Sequence, residues 1–134
     1  MEILFVCKGN VGRSQMAEIL FRKVNKKHKV ISAGIKVNEK EGEKLKDILL
    51  AEPVIRFMKK EGFDVSENFR KQITKQMVNK ADKVIVMAEI DIWPDFLINN
   101  PKVVFWDIED PKGMSDEGYR KIIEQLKKLI ENIK

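Results

Sequence analysis

The sequence is poor in the residues that cross-link or metallate small proteins. With one cysteine and one histidine, it can form no disulfide within the chain, and these two residues cannot by themselves make a four-ligand Cys/His zinc site. Long apolar runs are missing too: none approaches the roughly 18 residues that a membrane span needs. The chain opens directly on MEILFVC rather than on a basic stretch, an apolar stretch and a cleavage site. Neither secretion nor membrane insertion is expected, and a reducing cytoplasm is the expected setting. Repeats, low-complexity tracts and linkers are also absent, which excludes solenoids and strings of domains.

What is present fits one domain over 1–134, of ordinary size for a single core. Apolar residues make up 43% and charged residues 35%, a composition that supports a buried core under a heavily solvated shell. Lys and Arg total 26 against 21 Asp and Glu, a net charge of +5. The signs interleave, as in EKEGEKLKD and KKEGFD, so a mixed surface is expected rather than a nucleic-acid stripe. No nucleic-acid partner is expected, and the chain is expected to act as a monomer.

Short apolar runs alternate with segments of helical period, the pattern of a parallel sheet whose crossovers are helices. Strands are expected at 3–7 (ILFVC), 30–35 (VISAGI), 83–88 (KVIVMA) and 102–108 (KVVFWDI). From Ser14, the residues Met16, Ala17, Leu20, Phe21 and Val24 make one apolar helical face, running into a basic end at Lys26 to Lys29 that includes His28. Residues 36–52 have no clear period apart from a possible short helix. Pro53 can open a helix carrying Val54, Phe57 and Met58, which Gly62 closes. ENFRKQITKQMVNKA reads as a further amphipathic helix. The last helix shows the plainest period, with Tyr119, Ile122, Ile123, Leu126, Leu129, Ile130 and Ile133 following Ser115 as N-cap. The expected fold is α/β: a single-domain open parallel sheet of about four strands with helices on both faces. Such sheets bind ligands outside the carboxyl ends of their strands.

Two of the loops at those ends carry chemistry. The first runs Cys7-Lys8-Gly9-Asn10-Val11-Gly12-Arg13-Ser14 and then becomes helix. A loop that delivers successive backbone amides to a helix N-terminus is an anion cradle; glycine, and asparagine less readily, tolerate the positive φ that such a cup needs. Arg13 adds a planar fork able to hold two oxygens of one phosphate. The same positive field favours the thiolate of Cys7, hence a nucleophile at neutral pH. A nucleotide P-loop would need glycine at 7 and lysine at 13, so the segment departs from it at two defining positions. The plain alternative is a small buried cysteine ending a strand. The second loop holds Asp110-Pro111. Asp110 follows the fourth strand and so shares a sheet edge with Cys7, where a carboxylic acid can protonate a leaving oxygen; Asp107, Glu109 and Asp116 are alternatives, and a simple Asp-Pro turn is the plain reading.

VCKGNVGRSQMAE resembles the signature V-C-x-G-N-x-C-R-S of the low molecular weight protein tyrosine phosphatases and of the arsenate reductases that share their fold. SAG at 32–34, GFDVSENFRKQIT and Asp110-Pro111 extend the likeness over nearly the whole chain. The resemblance implies Cys7 as nucleophile, Arg13 as phosphate clamp and Asp110 as general acid. It implies a phosphate cradle over Lys8, Gly9, Asn10, Val11, Gly12, Arg13 and Ser14, and a supporting network of Asn10, Ser14, Ser32 and Asn68. The implied reaction is metal-independent hydrolysis of aryl phosphates or phosphotyrosine through a phosphocysteine, with no cofactor. The partners would be a phosphorylated protein or small aryl phosphate, and oxyanions such as phosphate or arsenate.

The sequence departs from that family in places. Gly12 stands where many members have a second cysteine, Lys112 and Gly113 where phosphatases place aromatic residues, and residues 36–52 contain no aromatic. RSQMAE and Asp-Pro-x-Gly look closer to the reductase branch, yet position 88, where a relay cysteine would be needed, is Ala. Arsenate reduction would require an exogenous thiol. A non-catalytic oxyanion-binding module is a third reading. With no partner thiol at position 12, prolonged excess peroxide is expected to carry Cys7 to sulfinic and sulfonic acid. Mass spectrometry reads this directly, and full recovery with dithiothreitol would count against it.

Overall fold

The apolar run at the start of the chain has side chains for two cores, because successive residues of a strand point to opposite faces. The computed structural model describes residues 1–133. In it, β1 (Glu2–Cys7) sends Ile3, Phe5 and Cys7 into one apolar cluster, and Leu4 and Val6 into another. It lies inside an all-parallel four-stranded sheet of order β2-β1-β3-β4, completed by β2 (Lys29–Gly34), β3 (Lys83–Val86) and β4 (Val103–Phe105). The same alternation recurs further along, with Ile85 and Met87 in the first cluster and Val84, Val86 and Ala88 in the second.

The first cluster lies under α1 (Arg13–Val24), α2 (Glu52–Lys60) and α4 (Asp116–Glu131), and the second under α3 (Lys75–Lys80). Phe5 anchors the first, 6.0 Å from the Phe21 ring and 5.8 Å from the Trp106 ring. α4 begins as its period requires: Ser115 accepts from the Gly118 amide, and Tyr119, Ile122, Ile123, Leu126 and Ile130 are buried. Single-domain α/β architecture with helices on both faces is what the alternating pattern implied.

The differences are local. The segment 67–74 is extended rather than helical, and only Lys75–Lys80 forms α3, capped by Thr74. This stretch pairs with its neighbours instead: Gly34 bridges Gln72 and Lys44 bridges Phe69. Residues 38–51 fold as three single 3₁₀ turns, short units that leave no helical period to read. The fourth strand is shorter than expected, and Val24 is 69% exposed because it is the last residue of α1. His28 lies beyond the helix, its ring stacked on Phe21. Trp93 donates to the Ala88 carbonyl and packs with the second cluster, its ring 6.3 Å from that of Phe105. Among the described residues, no helix is long and apolar enough to cross a membrane.

Gly34 shows how closely the sheet edge supports the first loop. A Cβ there would lie 2.7 Å from Val37 Cγ2 and 2.9 Å from the Asn10 amide nitrogen, a backbone contact that cannot give way without moving the loop. Gly34→Ala is expected to cost about 1–3 kcal/mol, measured by urea unfolding, and to weaken phosphate binding in calorimetry. Unchanged values in both would show that the loop has slack.

Candidate active site

The loop between β1 and α1 turns on Asn10. This residue adopts φ 55, the left-handed region, which costs a non-glycine residue roughly 1–2 kcal/mol. Its side chain is fully buried and fully bonded. Nδ2 donates to Ser14 Oγ at 2.8 Å and to Ser32 Oγ at 3.0 Å, while Oδ1 accepts from the Lys71 amide at 2.9 Å and from Gln15 Nε2 at 3.2 Å. Gly9 and Gly12, expected to supply positive φ, do not. They stand where neighbouring side chains come close. A Cβ on Gly9 would sit 3.3 Å from an Arg70 guanidinium nitrogen, and one on Gly12 3.4 Å from Pro111.

Cys7 ends β1 buried, and its sulfur is 3.0 Å from Ser14 Oγ and 3.3 Å from the Asn10 amide that donates to it. Either atom of the Cys7–Ser14 pair can be the donor; Ser14 Oγ already accepts from Asn10 Nδ2, which leaves its own proton free for the sulfur. The amides of Lys8, Gly9, Val11, Gly12, Arg13 and Ser14 donate to no protein acceptor among the described residues. Nor does any side chain cap α1, whose first turn holds no acid. A helix start with free amides and no cap has its positive end available to an anion. Val11 is half-buried against the first cluster.

Arg13 is buried, and its Nη1 donates to the carbonyls of Met87 and Ile108, the latter at 3.1 Å. Those carbonyls come from the ends of β3 and β4. They fix the guanidinium plane and leave Nε and Nη2 for an anion. Nη2 lies 3.9 Å from Asp110 Oδ2. The Asp110 side chain is 51% exposed; its Oδ1 accepts from the Lys112 amide, and Gly113 continues the turn at φ 79. Asp110 and Cys7 line one cleft of about 550 Å³. Tyr119 lines it too, stacked on Phe57; burial, and secondarily the nearby Asp110 charge, push its phenol above the usual value.

Of the other carboxylates considered, Asp116 is paired with Arg56, which holds it below the usual carboxylate range, and neither Asp107 nor Glu109 lines the cleft. Asn68 stands one residue back from the network, 3.4 Å from Gln15 Oε1. Three residues were not singled out from the sequence. Gln15 is buried and bonds Asn10 and the Phe69 carbonyl. Arg70 donates to the Gly9 carbonyl at 2.9 Å and pairs with Glu43. Lys71 supplies the backbone amide to Asn10, and burial pulls its ammonium below the usual lysine value. No sequence signal marked Gln15, which with Glu18 and Arg22 lies off the apolar face of that helix.

A parallel sheet carrying a Cys-x5-Arg-Ser loop between its first strand and first helix, with Asp-Pro after its last strand, defines a class of cysteine-dependent oxyanion-binding proteins. The family model described as low molecular weight phosphotyrosine protein phosphatase matches residues 2–134, and the chain belongs to that family. It is 31% identical over 137 aligned positions to arsenate reductase 2 of Staphylococcus haemolyticus, covering 98% of this chain and 95% of that protein. It is also 38% identical over 86 residues to a probable low molecular weight protein-tyrosine-phosphatase, EpsP, of Ralstonia solanacearum, covering 64% of this chain and 54% of that one. The crystal structure of the low molecular weight protein tyrosine phosphatase from T. tengcongensis is similar with a TM-score of 0.80 and 31% identity, covering 98% of this chain and 95% of that chain.

Arg13→Lys tests the site's geometry. One ammonium cannot reach both carbonyls and still present a planar fork. Phosphate affinity is expected to fall at least tenfold by calorimetry, and near-normal affinity would remove the clamp.

Proposed function

We propose that this protein is a metal-independent phosphomonoesterase that hydrolyses aryl phosphates, phosphotyrosine among them, through a phosphocysteine. The observation that carries this reading is the uncapped, amide-rich start of α1, with a thiol hydrogen-bonded at its mouth and a carboxyl group in the same cleft. The Cys7 sulfur attacks phosphorus as the bond to the leaving oxygen breaks. Arg13 and the amides of Lys8 to Ser14 take up charge on the three equatorial oxygens. Asp110 gives its proton to the leaving oxygen. As a carboxylate it then takes a proton from the water that attacks phosphorus, the S–P bond breaks and phosphate departs. Ser14, Ser32, Asn10 and, at one remove, Asn68 hold the cradle in shape.

Arsenate reduction is the second reading, favoured by the relatives that bear that name. With a single cysteine, an arsenylated Cys7 would be resolved by an external thiol, which supplies the electrons. The two readings separate in one set of assays: p-nitrophenyl phosphate hydrolysis with chelator present, and arsenate-dependent consumption of a small thiol. Wild type is expected to turn over the aryl phosphate. Cys7→Ser is expected to lose turnover yet still bind phosphate or tungstate, because the amides and Arg13 remain. Thiol consumption without aryl phosphate turnover would overturn the phosphatase reading.

Asp110→Asn tests the proton donor. A phenoxide near the tyrosine pKa of about 10 needs a proton to leave, and p-nitrophenoxide, a weaker base, needs it less. The variant is expected to lose about 10²- to 10⁴-fold on a phosphotyrosine peptide and less on p-nitrophenyl phosphate, in single-turnover kinetics. Equal losses on both substrates would move the acid elsewhere.

A further inference from the structure

The rim of the cleft carries charge that phosphoryl transfer does not use. Lys36, Lys40 and Lys112 are exposed, line the cleft, and have no carboxylate within ion-pair distance among the described residues. Lys8 lines the cleft in the same way; elsewhere Lys23 and Lys127 share Glu61, Lys44 and Lys46 share Glu67, and other lysines, Lys75 and Lys121 among them, carry no ion pair among the described residues. Of the acids in the cleft, Glu43 is held by Arg70, Asp110 faces Arg13, and Asp47 stands alone. The rim is therefore cationic on balance, in a protein whose surface is otherwise mixed.

The topology spreads these lysines apart. Lys36 and Lys40 follow β2, and the Lys36 amide donates to the Lys8 carbonyl of the cradle. Lys112 follows β4. In the order β2-β1-β3-β4 these are the two outer strands, with Cys7 between them at the end of β1. The 110–112 turn comes back from the outer strand onto the cradle, with Pro111 against Gly12 and Asp110 Oδ2 3.9 Å from Arg13 Nη2, so Lys112 stands beside the cradle, across from the segment that follows β2. The same cleft offers an aliphatic wall: Ile48, Leu49 and Leu50 line it, with Leu49 90% and Leu50 49% exposed. A small anion on Cys7 would leave these leucines bare.

We propose, resting on the phosphatase reading, that the substrate is a phosphorylated peptide segment lying extended across the cleft. Its phosphorylated side chain enters the cradle over Cys7. Carboxylates flanking it pair with Lys36 and Lys40 on one side and with Lys112 on the other, and apolar side chains rest on Leu49 and Leu50. Lys36, Lys40 and Lys112 thus select acidic sequence without touching the reacting atoms.

The test uses three phosphotyrosine peptides of equal length, with Glu, Gln or Lys two residues before and after the phosphotyrosine, at low ionic strength. Wild type is expected to prefer the acidic over the neutral peptide about tenfold in kcat/KM, two exposed charge pairs contributing roughly threefold each, and to disfavour the basic one. The preference is expected in KM and is expected to collapse in 0.5 M salt. In the triple variant Lys36→Gln, Lys40→Gln, Lys112→Gln the ratio is expected to fall to about one, with p-nitrophenyl phosphate turnover unchanged. No acidic preference in wild type, or an undiminished one in the variant, overturns the proposal. Absence of turnover on every phosphate ester overturns the phosphatase reading instead. The same peptides titrated calorimetrically into Cys7→Ser then decide the present proposal by their order of affinity.

Discussion

The site depends on one buried amide. Asn10 holds the loop in a left-handed turn that its own backbone disfavours, and all four hydrogen-bonding positions of its side chain are filled from four different residues. A buried primary amide with an empty position would cost about 1–3 kcal/mol. Loop, helix start, second strand and the 67–74 segment therefore have to be in register together for this turn to exist. Ser14 then meets the Cys7 sulfur, and the loop amides are free to face an anion. The network spends its hydrogen bonds on shape and leaves the cradle's donors unspent.

A similar division runs through the guanidiniums. Arg13 uses Nη1 to join the ends of β3 and β4 and keeps Nε and Nη2 for a ligand. Arg70 holds the Gly9 carbonyl from outside the loop, which fixes the peptide that follows it. Such preorganisation matters because donors already aimed at developing charge need no reorganisation when it appears. Asp110 is held differently, half exposed on a short turn through Gly113, in the cleft that Cys7 also lines.

Membership of the family leaves the choice between phosphate ester and arsenate to details of the cleft. The single cysteine removes any thiol relay within the chain. The walls are aliphatic and cationic rather than aromatic, and Tyr119, the aromatic residue lining the cleft, is stacked beneath it on Phe57. A phenyl ring entering this cleft would pack against leucines.

Much of the fold and the centre of the site were legible in the chain itself. β1 and α4 bury side chains at periods of two and three to four, and those periods are properties of adjacent residues. Cys7, Asn10, Arg13 and Ser14 could be read for the same reason, because one continuous loop presents them all. The segment 67–74 could not: its polar and apolar residues suit a helix, and pairing with Gly34 and Lys44, distant in sequence, makes it extended. The turns over 38–51 are too short to show a period. Gln15 and Arg70 could not be picked out, since nothing in a polar side chain tells whether its partner is water or a buried carbonyl. The carbonyls of Met87 and Ile108 that orient Arg13 carry no side-chain identity at all. By itself the sequence determined the sheet, the cradle and the thiol, all set by local pattern. Only the tertiary structure decided which backbone groups lock the cradle, how far Asp110 stands from Arg13 and which lysines line the cleft, because each of these depends on chain segments brought together by folding.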